Sequence, residues 1–369
     1  MHSRPRWRHV LAGTLLRTGP GAAPPPGAAP PPGGRVDLPV RRAGNGGRRR
    51  RGERPMVPDA KFTSYYGRPV IKEPVWRTPD VPAYLFLGGL AGASSVLAAG
   101  AQLSGYRELA KAAKVGALGA ISLSAVALVH DLGRPERFVN MLRVFKPSSP
   151  MSVGSWLLAA YGPVAGAAAV SELTGIAPKA GLTATLGAGL LGPGIATYTA
   201  ALICDTAVPA WHEGYREMPY VFAGSAASAA GGLGLLALRP RDAQPARDLA
   251  IFGASVELIA KRQLLARLAR TDGQSLAEPY EDGTTGAILR LAEFLTAGAL
   301  AGAVLGGRSR AVSALSGASL LAASAMTRLG IFEAGMASAR DPKYTIVPQR
   351  RRLGAVSGTG ETAPGIPRE

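Results

Sequence analysis

Cysteine is almost missing from this chain of 369 residues: Cys204 is the only one. That excludes an internal disulfide and any iron–sulfur cluster held by the chain's own thiolates. Histidine is nearly as scarce, with only His2, His9, His130 and His212, and the first two lie in a tail. A bis-histidine haem needs imidazoles projecting inward from helices, so no haem anchor and no metal site are expected. Charge is thin as well, at 18% of residues, and it is withheld from long stretches. The net charge of +18 suggests nucleic acid until it is located. Residues 1–55 hold twelve arginines against Asp37 and Glu53, and the rest of the excess is spread over loops rather than gathered on a face with aromatics between. No nucleic-acid partner is expected.

The apolar residues stand in long charge-poor runs. Residues 82–106 carry no charge at all, enough to cross about 30 Å of hydrocarbon at about 1.5 Å per residue. Residues 115–129 form a shorter run that Lys111 and Lys114 extend by snorkelling, and 147–171, 180–204 and 218–238 are charge-free. Three further runs, 249–268, 287–307 and 311–332, carry a few charges each, with Arg328 near the end of the last. Glycine, alanine and serine abound, as close helix packing in lipid prefers. The expectation is an all-α polytopic membrane bundle of about eight transmembrane helices over residues 81–333, in the plasma membrane and in contact with lipid. Residues 1–55, with ten prolines and ten glycines, read as a disordered tail. The alternative is that translation starts at Met56 and the tail comes from upstream sequence. Residues 56–80 read as a surface segment and 334–369 as a C-terminal tail. An even count puts both termini on one side, and the positive-inside rule makes that side cytoplasmic by a small margin within the loops. No convincing internal repeat is visible.

The densest connection runs from His130 to Trp156. It carries Asp131, Arg134, Glu136, Arg137 and Arg143, and its guanidinium forks suit fixed pairing with carboxylates here or on a partner. Anchoring of a helix end and docking of a partner both remain open. Tyr198 lies deep in the fourth run, where a phenol needs a hydrogen-bond partner or holds a quinone carbonyl. Asp205 and His212 face the same side as the dense connection. Glu257 and Lys261, spaced i,i+4, share a helix face and can pair within the membrane, as proton relay or as glue between helices. Arg290 and Glu293 pose the same question with less force.

Three stretches, DLGRPERFVNMLRVFKPSSPMSVGSW at 131–156, GPGIATYTAALICDTAVPAWHE at 192–213 and FEAGMASARDPKYTIVPQR at 332–350, resemble the NrfD/PsrC family over about residues 57–350. Its members are membrane subunits of polysulfide-reductase-type molybdopterin complexes. The resemblance implies an eight-helix anchor without haem or iron–sulfur cluster. Such an anchor exchanges electrons between menaquinone or ubiquinone and a four-cluster iron–sulfur subunit, itself bound to a molybdopterin catalytic subunit. It implies quinone contact at Tyr198 and, near the start of the first helix, at Tyr84. The family's first-helix histidine is absent here. Asp205, His130 and Asp131 become candidates beside the quinone or on its proton exit, with Glu257 and Lys261 on a longer proton path. Asp131, Arg134, Glu136, Arg137, Arg143 and His212 fall on the docking face. In many members the catalytic subunits lie outside the cytoplasm, opposite to the charge count. Two readings from other classes are a secondary transporter with a site lined by Glu257, Lys261 and Arg290, and a structural anchor that never touches quinone.

Overall fold

Long uncharged runs in lipid leave the backbone no partners but its own, and the α-helix satisfies every group within the segment. The computed structural model describes residues 70–134, 136–270, 276–305 and 309–346, and among these it is helical throughout, without a strand. The expected disordered tail, the surface segment up to residue 69 and the chain beyond residue 346 lie outside the described residues.

Eight long helices alternate in direction: α1 (Asp80–Leu103), α2 (Arg107–Leu132), α4 (Pro150–Thr174), α5 (Pro178–Cys204), α7 (Met218–Ala237), α8 (Gln244–Arg270), α10 (Gly283–Leu305) and α11 (Arg310–Arg340). Three short ones, α3 (Glu136–Met141), α6 (Pro209–His212) and α9 (Glu278–Glu281), sit in the long connections. These connections all fall at one end of the bundle, and tight turns close the other. Among the described residues seven of the long helices are apolar enough to cross a membrane. The eighth, α8, carries Arg247, Asp248, Glu257, Lys261, Arg262, Arg267 and Arg270. It nevertheless runs antiparallel along α7, with Gly234 against Ala246 and Gly224 against Glu257, so it completes the eighth traverse. The molecule is a multi-pass membrane protein.

Two differences from the sequence expectation matter. The last helix does not stop at residue 332 but continues to Arg340, because Ala334, Met336 and Ala339 are buried and nothing breaks the helix before Pro342. Arg328 is therefore well inside the helix rather than near its end. Second, the packing contains a repeat that the residues do not advertise. Helix α1 packs on α2 and α5, and α4 closes that group; α7 packs on α8 and α11, and α10 closes the other. The halves begin at the same end and meet through α1 and α7, each also touching the other half. The pivotal contacts correspond too. Gly92 meets Gly192 between α1 and α5, and Gly232 meets Gly317 between α7 and α11, both too close for a Cβ.

Candidate functional site

The antiparallel α1 and α5 bring Tyr84, in the second turn of α1, level with Tyr198, six residues before the end of α5. Their hydroxyls are hydrogen-bonded, and the rings meet edge to face with centroids 6.5 Å apart. Gly154 on α4 makes room for the Tyr198 ring, since a Cβ there would strike it. Around this pair the first half opens into a cleft with about 650 Å³ of free space, its open mouth included. The walls are mostly apolar, with Leu128, Met141, Met151, Leu158 and Leu202, and the polar groups are the two phenols, Ser155 and Asp131. An apolar slot with a few convergent polar groups is the usual form of a small-molecule site.

The rim comes from the ends of α1 and α2 and the connection after α2. Asp131 Oδ1 accepts the Arg77 N–H at 3.0 Å, which fixes the carboxylate at the cleft. His130 points outward and its Nδ1 lies 2.8 Å from Asp80 Oδ2. Asp80 was missed in the sequence because nothing local signals a partner 50 residues away. Arg137 Nη1 donates to the Leu132 carbonyl at 2.9 Å, which closes the end of α2. Arg134, Glu136, Arg137 and Arg143 are exposed. The connection is pinned to α4 by Ser152, whose Oγ accepts from Lys146 N and donates to the Val144 carbonyl, each at 3.0 Å, and by Phe145 edge-on to Trp156.

Behind the cleft stands an aromatic stack with no clear signal in the sequence. Trp76 lines the cleft and stacks on Trp211, 5.6 Å between centroids. Trp211 is fully buried, donates its indole N–H to the Ile331 carbonyl at 2.7 Å and packs on Phe332. Gly335, one turn on from Ile331, leaves the indole its space. Asp205 and His212 are not in the cleft lining: Asp205 follows the last residue of α5, exposed, and His212, next to Trp211 in the chain, has Nδ1 3.2 Å from the Cys204 carbonyl.

The same end of the bundle is knitted into a platform. Tyr280 on α9 donates to the Ala210 carbonyl on α6 at 2.9 Å, and burial pushes its phenol above the ordinary range, so it remains a donor. Lys343 reaches Glu278 at 2.9 Å, and Arg340 reaches Glu73 at 2.7 Å. Arg267 at the end of α8 forks onto Glu217 at 2.6–2.9 Å and also donates to the Glu213 carbonyl. Arg267→Ala is expected to cost about 2 kcal/mol, as charge-assisted bonds at a half-buried site do, read as a lower unfolding temperature in detergent.

In the second half, Glu257 and Lys261 do not spend their hydrogen bonds on each other. Thr327 and Ser228 donate to Glu257 at 2.8 and 3.3 Å. Lys261 Nζ donates to the Leu289 carbonyl at 2.7 Å and pairs with Glu293 at 3.4 Å. Arg290 is drawn off to the Glu281 carbonyl at 2.7 Å. Among the described residues no cluster of side chains could hold a metal ion.

No curated protein matches the chain. The family model for polysulphide reductase, NrfD, matches residues 70–250, which take in the whole first half with its cleft, α6, α7 and the start of α8. The chain belongs to the NrfD family, the membrane subunits of polysulphide-reductase-like complexes.

Proposed function

We propose that the cleft of the first half takes a membrane quinone, and that the chain passes electrons between it and an iron–sulfur subunit docked on the long-connection end. The observation that carries this reading is the pair of phenol hydroxyls, from α1 and α5, joined inside an apolar cleft with a carboxylate at its edge. The residues fit the group: hydroxyls at Tyr84 and Tyr198 to hold a carbonyl oxygen, apolar walls at Leu158, Met151 and Leu202 for a ring and tail. When bound, a quinone supplies two-electron chemistry coupled to two protons. Tyr198 and Tyr84 orient the bound ring, the former with a wall of α4 behind it. Asp131, held by the Arg77 N–H, is the nearest carboxylate to take a proton, and His130 with Asp80 carries it to solvent. Asp205 serves as a second acidic group on the same end, outside the cleft.

Docking falls to the exposed charges after α2, Arg134, Glu136, Arg137 and Arg143, with the half-buried Asp131 at the end of α2 beside them and His212 on the neighbouring α6. A molybdopterin catalytic subunit then binds the iron–sulfur subunit rather than this chain. Arg134→Ala with Arg137→Ala is expected to release the iron–sulfur subunit from membranes in a pull-down, more completely at high salt; full retention contradicts the docking assignment. The transporter reading gains a repeat from the packing but meets unbroken helices, where midplane transport sites are commonly built on interrupted ones.

The test of the cleft is occupancy. Leu158→Trp fills it without adding charge, so quinone-analogue binding by the purified complex is expected to be lost while partner retention persists. A structural anchor predicts no binding in either protein.

A further inference from the structure

The second half holds a buried charged centre separate from the cleft. Glu257, 2% exposed, stands halfway along α8 and accepts from Thr327 on α11 and Ser228 on α7. Arg328, the residue after Thr327, has no exposure at all. Its Nη2 donates to the Phe222 carbonyl at 2.7 Å, and its guanidinium carbon lies 3.6 Å from the centre of the Phe222 ring. Nε and Nη1 have no hydrogen-bond partner among the described residues. Carboxylate and guanidinium attract one another, yet no direct ion pair joins them among the described residues.

A pair kept only as glue would be closed, because a buried guanidinium gains most from a two-pronged contact with its carboxylate. Here the carboxylate is satisfied by hydroxyls, and the guanidinium keeps two buried donors, which is costly unless a small polar group meets them. Water is the group that fits, two donors being too few to strip an anion of its hydration. We propose that Glu257 is a proton-exchanging group inside the membrane, with Arg328 as its positioning counter-charge and water on the two guanidinium donors as the proton carrier. The step is a plain transfer. An O–H bond of that water breaks as one forms on a Glu257 carboxylate oxygen, while the water takes a replacement proton from a second water on the solvent side, and the reverse step returns the proton.

The charged groups facing Glu257 are Lys261, one turn along α8, and Arg328 from α11, whereas α7 offers the hydroxyl of Ser228. Lys261 in turn meets Glu293 on α10, whose side chain is about a third exposed. That chain leads from the centre of the bundle outward. Arg328 is what the i,i+4 spacing of Glu257 and Lys261 does not disclose, and the inference stands whether or not the cleft binds quinone.

The test is infrared difference spectroscopy of the full-length chain in proteoliposomes between high and low pH. A carboxylic-acid carbonyl band is expected to appear at low pH, to shift in heavy water and to vanish in Glu257→Gln. In Thr327→Val, which deletes one hydrogen bond to the group, the band is expected to move to higher frequency. This milder variant decides the matter if Glu257→Gln fails to insert. A spectrum with no pH-dependent band sensitive to either substitution makes Glu257 a group of fixed protonation and overturns the proposal.

Discussion

Changing Tyr84 and Tyr198 together to phenylalanine is expected to lower quinone-coupled turnover of the assembled complex by about 100-fold, the scale on which positioned proton donors contribute. The complex itself should survive. The two hydroxyls satisfy each other, so removing both leaves no orphaned polar group, and the rings keep their edge-to-face contact. Either single substitution strands one hydroxyl in an apolar cleft and costs stability on the order of 1 kcal/mol. The pattern to look for is a double variant more stable than either single one and yet the least active. Turnover with an artificial donor to the iron–sulfur subunit should be unchanged, which separates loss of quinone handling from loss of assembly. Equal activity in the double variant and the parent would remove the phenols from the mechanism.

Trp211→Ala is expected to have the largest effect on stability, about 3–5 kcal/mol, the range for deleting a fully buried indole. The indole is wedged between Trp76, Phe332 and the backbone at Gly335, and it closes a hydrogen bond to Ile331, so its loss opens a cavity where α6, α11 and the segment before α1 meet. Trp76 also lines the cleft, so the damage should spread to quinone-analogue binding. Thermal unfolding in detergent reads the first effect and an analogue titration below the unfolding temperature reads the second. Gly335→Ala should reproduce a weaker version, about 1–3 kcal/mol, because any side chain there enters the space of the indole.

The spans were legible because lipid demands uncharged runs of about 20 residues, and such runs leave little ambiguity. Legibility failed where side chains act across helices. Tyr198 could be placed deep in its helix from position alone, but its meeting with Tyr84 depends on the register of α1 against α5. That register is set by glycines whose role is an absence of side chain. Glu257 and Lys261 share a face as their spacing demands, yet each side chain reaches a neighbouring helix, which no spacing within one helix can foretell. Arg328 stands near the end of its apolar run only as long as residues 334–369 are taken for a tail, although the helix meets no proline before residue 342. The repeat stayed hidden for a related reason: small residues pack equally well in many orders, so two halves can share an architecture without sharing a motif.

The quinone reading unites these features: a phenol pair placed by α1 and α5, a carboxylate held at the rim, and a rigid end of the bundle beside it. Photolabelling tests that reading most directly. The purified complex is irradiated with a photoreactive quinone analogue, and the labelled peptides are identified by mass spectrometry. The account predicts label on α1 near Tyr84, on α4 near Leu158 and on α5 near Tyr198, competed away by native quinone and absent in Leu158→Trp. Competed label confined to the second half, around α8 and α10, would contradict it.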